Sequence, residues 1–176
     1  MKNQIEIDLH IKSKSWQNIS QINGKICRII NKIIPKTPVK DFLKNKQNQI
    51  EISISLVSEN QIRTINKDHR NKDKSTNILS FPALDLSKNK LDFNSLVKSH
   101  DYIFLGDIVI SLENIRKEVL ESGSKTFDSH LTHLILHSIL HLIGHDHIDN
   151  QDAEKMEGLE VKILQSLKIK NPYDSY

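Results

Sequence analysis

The chain has 176 residues, 37% hydrophobic and 27% charged, with a formal net charge of +3, which suits one ordinary soluble domain with a sizeable core. Its single cysteine, Cys27, excludes an intramolecular disulfide and reads as a small buried hydrophobe on a helix. No apolar run reaches the length of a signal peptide or a membrane span, so a cytoplasmic protein without membrane association is expected.

The first element is a strand over Gln4–Ile11, with Ile5, Ile7, Leu9 and Ile11 on one face. Helical spacing of Ile19, Ile22, Ile26, Ile29, Ile30 and Ile33 predicts a helix from Ser15 to Ile34, stopped by Pro35. Lys36–Asn48 is polar and lysine-rich, a loop or a short turn of helix. QIEISISLV, Gln49–Val57, alternates cleanly and is the clearest strand. A short helix follows over Glu59–Asp68, then a short strand over Asn77–Phe81 ended by Pro82. Asp85–Asp101 is weakly patterned and reads as a loop. A strand over Tyr102–Ile110 leads into a helix over Ser111–Ser122, closed by Gly123. Thr126–Ile143 is a long helix, and a last one runs from Asn150 to Leu167 with acidic residues in its first turns. The elements do not alternate as regular βαβ units. They predict a single α+β domain over residues 1–176, a mixed sheet of about four strands packed with about five helices.

The charge is unevenly spread. Residues 1–74 carry 15 Lys and Arg against 7 Asp and Glu, while the remainder carries 10 against 15. A basic half can attract a polyanion through phosphate neutralisation, although lysines are also the usual way to solvate a surface.

The chemistry concentrates in HSILHLIGHDH, His137 to His147. On the long helix His133, His137 and His141 recur every fourth residue and line one face, while leucines and isoleucines cover most of the rest. A polar stripe on a helix that apolar needs partners, and a metal ion suits several imidazoles at once. Gly144 can end the helix in a left-handed turn and bring His147 back towards His137 and His141. Three neutral histidines leave a fourth position open, the arrangement of a catalytic zinc. Asp146 and Asp149 are candidates to hold ligand N–H groups. His133 is expected to line the same cleft, and His145 to face away.

The spacing is also that of metzincin peptidases, H-E-x-x-H-x-x-G-x-x-H. Ser138 stands where their catalytic Glu would be, which argues for chemistry in which the metal centre suffices with a second group to handle charge. That group is sought in KDHRNKDKSTNILSFP, Lys67–Pro82, where Arg70 could grip a phosphate in bidentate fashion. A metallopeptidase or amidase, and a non-enzymatic metal-stabilised factor, stand as alternatives.

HSILHLIGHDH resembles the H-G-x-L-H-L-x-G-x-D-H signature of the YbeY family, bacterial single-strand-specific endoribonucleases of ribosomal RNA maturation. RNKDKSTNILSFP is similar to that family's R-x-K-D-x-x-T-[DN]-V-L-S-F-P segment, LGDIVIS to its L-G-D-I-x-I-S strand, and AEKMEGLE to its stretch after the metal site. Ser138 replaces the family's usual Gly, a small-for-small change away from ligation. The resemblance implies one Zn2+ per chain on His137, His141 and His147 in a zincin-like site on a central helix, with Arg70 near the substrate phosphate. It implies single-stranded RNA, ribosomal RNA and the small ribosomal subunit as partners. The implied activity is cleavage near the 3′ end of 16S rRNA and a part in ribosome quality control. Lys72 and Lys74 are candidates to steer that RNA.

Overall fold

The computed structural model describes residues 4–84, 86, 93–146 and 150–174. In chain order the elements are β1 (Ile5–Ile11), α1 (Lys14–Gln17), α2 (Ile22–Ile33), a 3-10 turn (Ile34–Lys36), α3 (Val39–Phe42), β2 (Gln49–Val57) and α4 (Glu59–Arg70). There follow β3 (Ile78–Pro82), α5 (Phe93–Leu96), β4 (Tyr102–Ser111), α6 (Leu112–Ser122), α7 (Phe127–Leu142) and α8 (Asn150–Ser166). The fold is α+β, as the patterning implies. Among the described residues, five helices exceed ten residues and three are single turns.

The four strands form one mixed sheet in the order β1-β2-β4-β3, with β1, β2 and β4 parallel and β3 antiparallel on the edge. The strict alternation in β2 becomes a strict alternation of burial. Ile50, Ile52, Ile54 and Leu56 are fully buried and the intervening residues half-exposed. α7 lies against this sheet, with Leu131, Ile135, Leu136, Ile139, Leu140 and Leu142 buried. At about 1.5–3 kcal/mol for each such side chain, its apolar surface anchors the domain. A capping box starts it, Thr126 Oγ1 accepting from the Ser129 backbone and Ser129 Oγ from that of Thr126.

The helix expected over Ser15–Ile34 is broken in two. Gln21 adopts a left-handed conformation, φ 55°, as the N-cap of α2. Trp16 on α1 is buried and its indole N–H donates to the Val57 carbonyl at 3.0 Å. Ile19 and Ile22 on either side of the break both reach the core, so apolar spacing runs through a helix boundary that it cannot reveal. The loops at 36–48 and 85–101 each hold one helical turn, α3 and α5.

β4 departs from an ideal strand at Gly106. The register with β2 passes from Glu51↔Phe104 to Ile52↔Gly106, leaving Leu105 as an extra residue. Gly106 has φ +135° and lies so close to β3 that a Cβ there would meet the Phe81 carbonyl oxygen at 2.2 Å. The bulge lets β3, α7 and the loop after β3 approach one another. Among the described residues no helix is long and apolar enough to cross a membrane.

Candidate metal centre

His137 and His141 stand one turn apart on α7, and their Nε2 atoms converge to 3.1 Å. His141 Nδ1 lies 3.0 Å from the His145 backbone oxygen, which can only accept, so Nδ1 carries the hydrogen. His137 Nδ1 lies 2.8 Å from Glu160 Oε1. Burial raises the Glu160 pKa, but hydrogen bonding from His133, His137 and Tyr173 outweighs it and holds the carboxyl down at about 2. Glu160 is therefore a carboxylate at neutral pH, and His137 Nδ1 also carries its hydrogen. With the hydrogen on Nδ1, each ring turns towards the other its Nε2, the nitrogen that a metal ion would take. Two such nitrogens at that separation call for a shared cation, and the oxygens behind each ring fix it for ligation.

Glu160 comes from α8 and is fully buried. Its second oxygen accepts from the Tyr173 hydroxyl, and Tyr173 also packs edge-on to His133 at 5.7 Å. Burial and the carboxylate push the Tyr173 pKa upward. His133, His137 and Glu160 offer three ligand atoms within 4.8 Å of one another, close enough to hold a metal ion. His133 Nε2 is 3.5 Å from Glu160 Oε2, the contact through which it helps hold the carboxyl down. A cavity of about 230 Å³ opens beside this group, lined by His137, Met156, Glu157, Glu160 and Tyr173. His137 thus has a potential metal ligand on either side, His141 Nε2 beside its own Nε2 and the Glu160 carboxylate, which accepts from its Nδ1.

His133 belongs to the group with His137 and Glu160 and lines a neighbouring cavity. His145 contributes its carbonyl, and burial lowers the pKa of its side chain. Asp146 Oδ1 is 4.0 Å from His141 Nδ1, so at this ring the His145 carbonyl is the nearer acceptor. His147 and Asp149 lie outside the described residues. Gly144 ends the helix region at φ +92°, where a Cβ would meet Leu86 Cδ1 at 2.7 Å. The turn expected of that glycine is present.

Arg70 is the last residue of α4, and its Nη2 donates to the Ser80 carbonyl at 3.0 Å with the guanidinium 5.9 Å from the Phe81 ring. Ser80 Oγ in turn donates to Ser138 Oγ at 2.8 Å, and Ser138 adjoins His137. The arginine is tied through one strand residue to the helix that carries the histidines. Ser138 is buried and engaged, in keeping with its expected inability to act as a base. Asp73 engages Arg63 and Lys67; Lys72 and Lys74 are exposed and make no ion pair among the described residues.

Glu160 was not singled out in the sequence. In the sequence it is the last residue of AEKMEGLE, a carboxylate in an amphipathic helix, and such residues are normally solvated. We expect Glu160→Gln to weaken metal binding by about 10–100-fold, read by titrating metal into the stripped protein. An unchanged affinity would show that the carboxylate does not orient a ligand.

A sheet with a buried helix bearing converged imidazoles and a buried carboxylate defines a single α+β domain with a His/His/Glu cluster that could bind a metal. A family model described as Endoribonuclease YbeY matches residues 10–168. Endoribonuclease YbeY of Agrobacterium fabrum is 35% identical over 175 residues, covering 96% of this chain and 95% of the relative. That of Rhizobium meliloti is likewise 35% identical with the same coverage. The solution structure of TM1509 from Thermotoga maritima matches with a TM-score of 0.51 at 21% identity, over 97% of this chain and 96% of that one; it bears on the fold alone. The chain belongs to the YbeY family of endoribonucleases.

Proposed function

We propose that this chain is a zinc-dependent, single-strand-specific endoribonuclease acting in the cytoplasm on ribosomal RNA of the small subunit. In this reading it matures the 3′ end of 16S rRNA and serves ribosome quality control. His137, His141 and His147 hold one zinc ion, and Arg70 is the catalytic group against the substrate phosphate. The observation that carries the reading is the approach of the His137 and His141 Nε2 atoms to 3.1 Å with both Nδ1 atoms held by oxygens. When bound, zinc supplies Lewis acidity towards a phosphoryl oxygen.

The chain's own groups do the rest. One Arg70 N–H is held by Ser80, leaving the other donors of the fork to offset phosphate charge as it develops. Lys72 and Lys74 on the adjoining loop draw the RNA in. A peptidase lacks its general base here, because Ser138 is buried against Ser80.

The test is cleavage of single-stranded RNA carrying the 3′ end of small-subunit rRNA, against the same RNA annealed to its complement. Cleavage of the single strand only, abolished by chelation and restored by zinc, supports the reading; none with zinc bound overturns it. The product termini report whether water or the 2′-hydroxyl attacks. Arg70→Lys is expected to lower kcat by about 10²-fold with zinc content unchanged. A kcat within twofold of wild type would remove Arg70 from the chemistry.

A further inference from the structure

Two cavities adjoin along the flank of α7, away from the cavity beside Glu160. The first, about 250 Å³, is lined by Lys25, Arg28 and Lys32 of α2, with Leu167 and Ile169 beyond α8. The second, about 420 Å³, is lined by Lys125, by Lys168 and Lys170 of the C-terminal segment, and by His130 and His133 of α7. Asp128, Thr132 and Ile169 line both, so the two form one trough. Its banks carry six cations. The single carboxylate lining it, Asp128, is neutralised by Lys25 at 2.5 Å.

The trough leads to the metal centre. The His133 ring lies in its wall and stands 6.2 Å from the His137 ring. From Phe127 to His137 the flank of α7 covers about 15 Å at 1.5 Å per residue, a reach of several nucleotides. A narrow groove with cations on both banks and apolar Ile29, Leu167 and Ile169 between them is the form that tracks a single strand, phosphates to the lysines and bases to the apolar floor. One bank comes from the basic first half of the chain and the other from its last residues. The excess positive charge of α2 therefore acquires a location.

We propose that this trough binds the single-stranded RNA flanking the scissile bond, its phosphates met by Lys125, Lys168 and Lys170 in the cavity that His133 lines and by Lys25, Arg28 and Lys32 in the other. The assignment rests on the nuclease reading above for what lies at the end of the trough.

The test uses the full chain stripped of metal by chelation, so that binding is read without cleavage. A fluorescent single-stranded RNA of about twelve nucleotides is titrated by anisotropy between about 50 and 200 mM salt. Lys168→Ala with Lys170→Ala, and separately Arg28→Ala with Lys32→Ala, are each expected to flatten the slope of log Kd against log salt by about 1.4, or 0.7 per lost phosphate contact. Lys44→Ala with Lys46→Ala, exposed lysines outside both cavities, is expected to leave it unchanged. A wild-type slope in either trough pair, or an equal loss in the control pair, overturns the path. So does binding of anionic lipid vesicles that RNA does not displace. Failure of the zinc-loaded wild type to cut RNA would strike the nuclease reading alone, since the trough is scored without metal.

Discussion

Replacing His141 with alanine is expected to strip the bound metal and lower RNA cleavage by about 10³-fold, while the metal-free protein melts close to wild type. Its ring is one-fifth exposed and stands at the edge of the core, so its loss opens no large cavity. What it removes is one of the two nitrogens that converge at 3.1 Å. A metal contribution of several kcal/mol to the transition state corresponds to about that factor in rate, at 1.36 kcal/mol per tenfold. His133→Ala provides the comparison. If the ion sits on the Nε2 side of His137, His141→Ala loses it and His133→Ala retains it. If it sits between His133, His137 and Glu160, the outcomes exchange. Metal analysis of the two purified variants beside wild type decides.

The second large effect lies away from the chemistry. Gly106→Ala is expected to cost about 4 kcal/mol, combining a positive φ with backbone overlap. In a chain of this length that amounts to roughly 8–16 °C in Tm, measurable by scanning calorimetry. The added methyl would meet the Phe81 oxygen at 2.2 Å, the Ala83 nitrogen at 2.9 Å and Leu142 Cδ2 at 3.1 Å. Two of these are backbone atoms that cannot swing aside, and the third belongs to the last turn of the histidine helix. A variant melting within 2 °C of wild type would mean that β3 shifts freely, contrary to its pairing with β4 over five residues.

The histidine pair was legible in the sequence because i and i+4 on a helix must share a face, whatever the rest of the fold does. The four strands were legible for the same local reason. Glu160 was not, since its partner His137 is 23 positions away on another helix and nothing local marks a carboxylate destined for burial. Tyr173 lies beyond the last periodic element, where patterning carries no information. Arg70 could be proposed from its charge, but its attachment to Ser80 depends on β3 reaching the edge of the sheet. That approach depends in turn on a bulge at Gly106 that a strand pattern does not display. The break at Gln21 escaped because both halves of the helix keep the same apolar spacing.

The separation between His137 and Glu160 also orders events during synthesis. At about 5–20 residues per second, the 23 positions between them take roughly 1–5 s to translate, and Tyr173 follows later still. Until α8 docks, the imidazole of His137 has no carboxylate to set its tautomer, and its lone pair is not committed to the side that His141 faces. A metal ion at this cluster would therefore be captured only once α8 has been made and has docked.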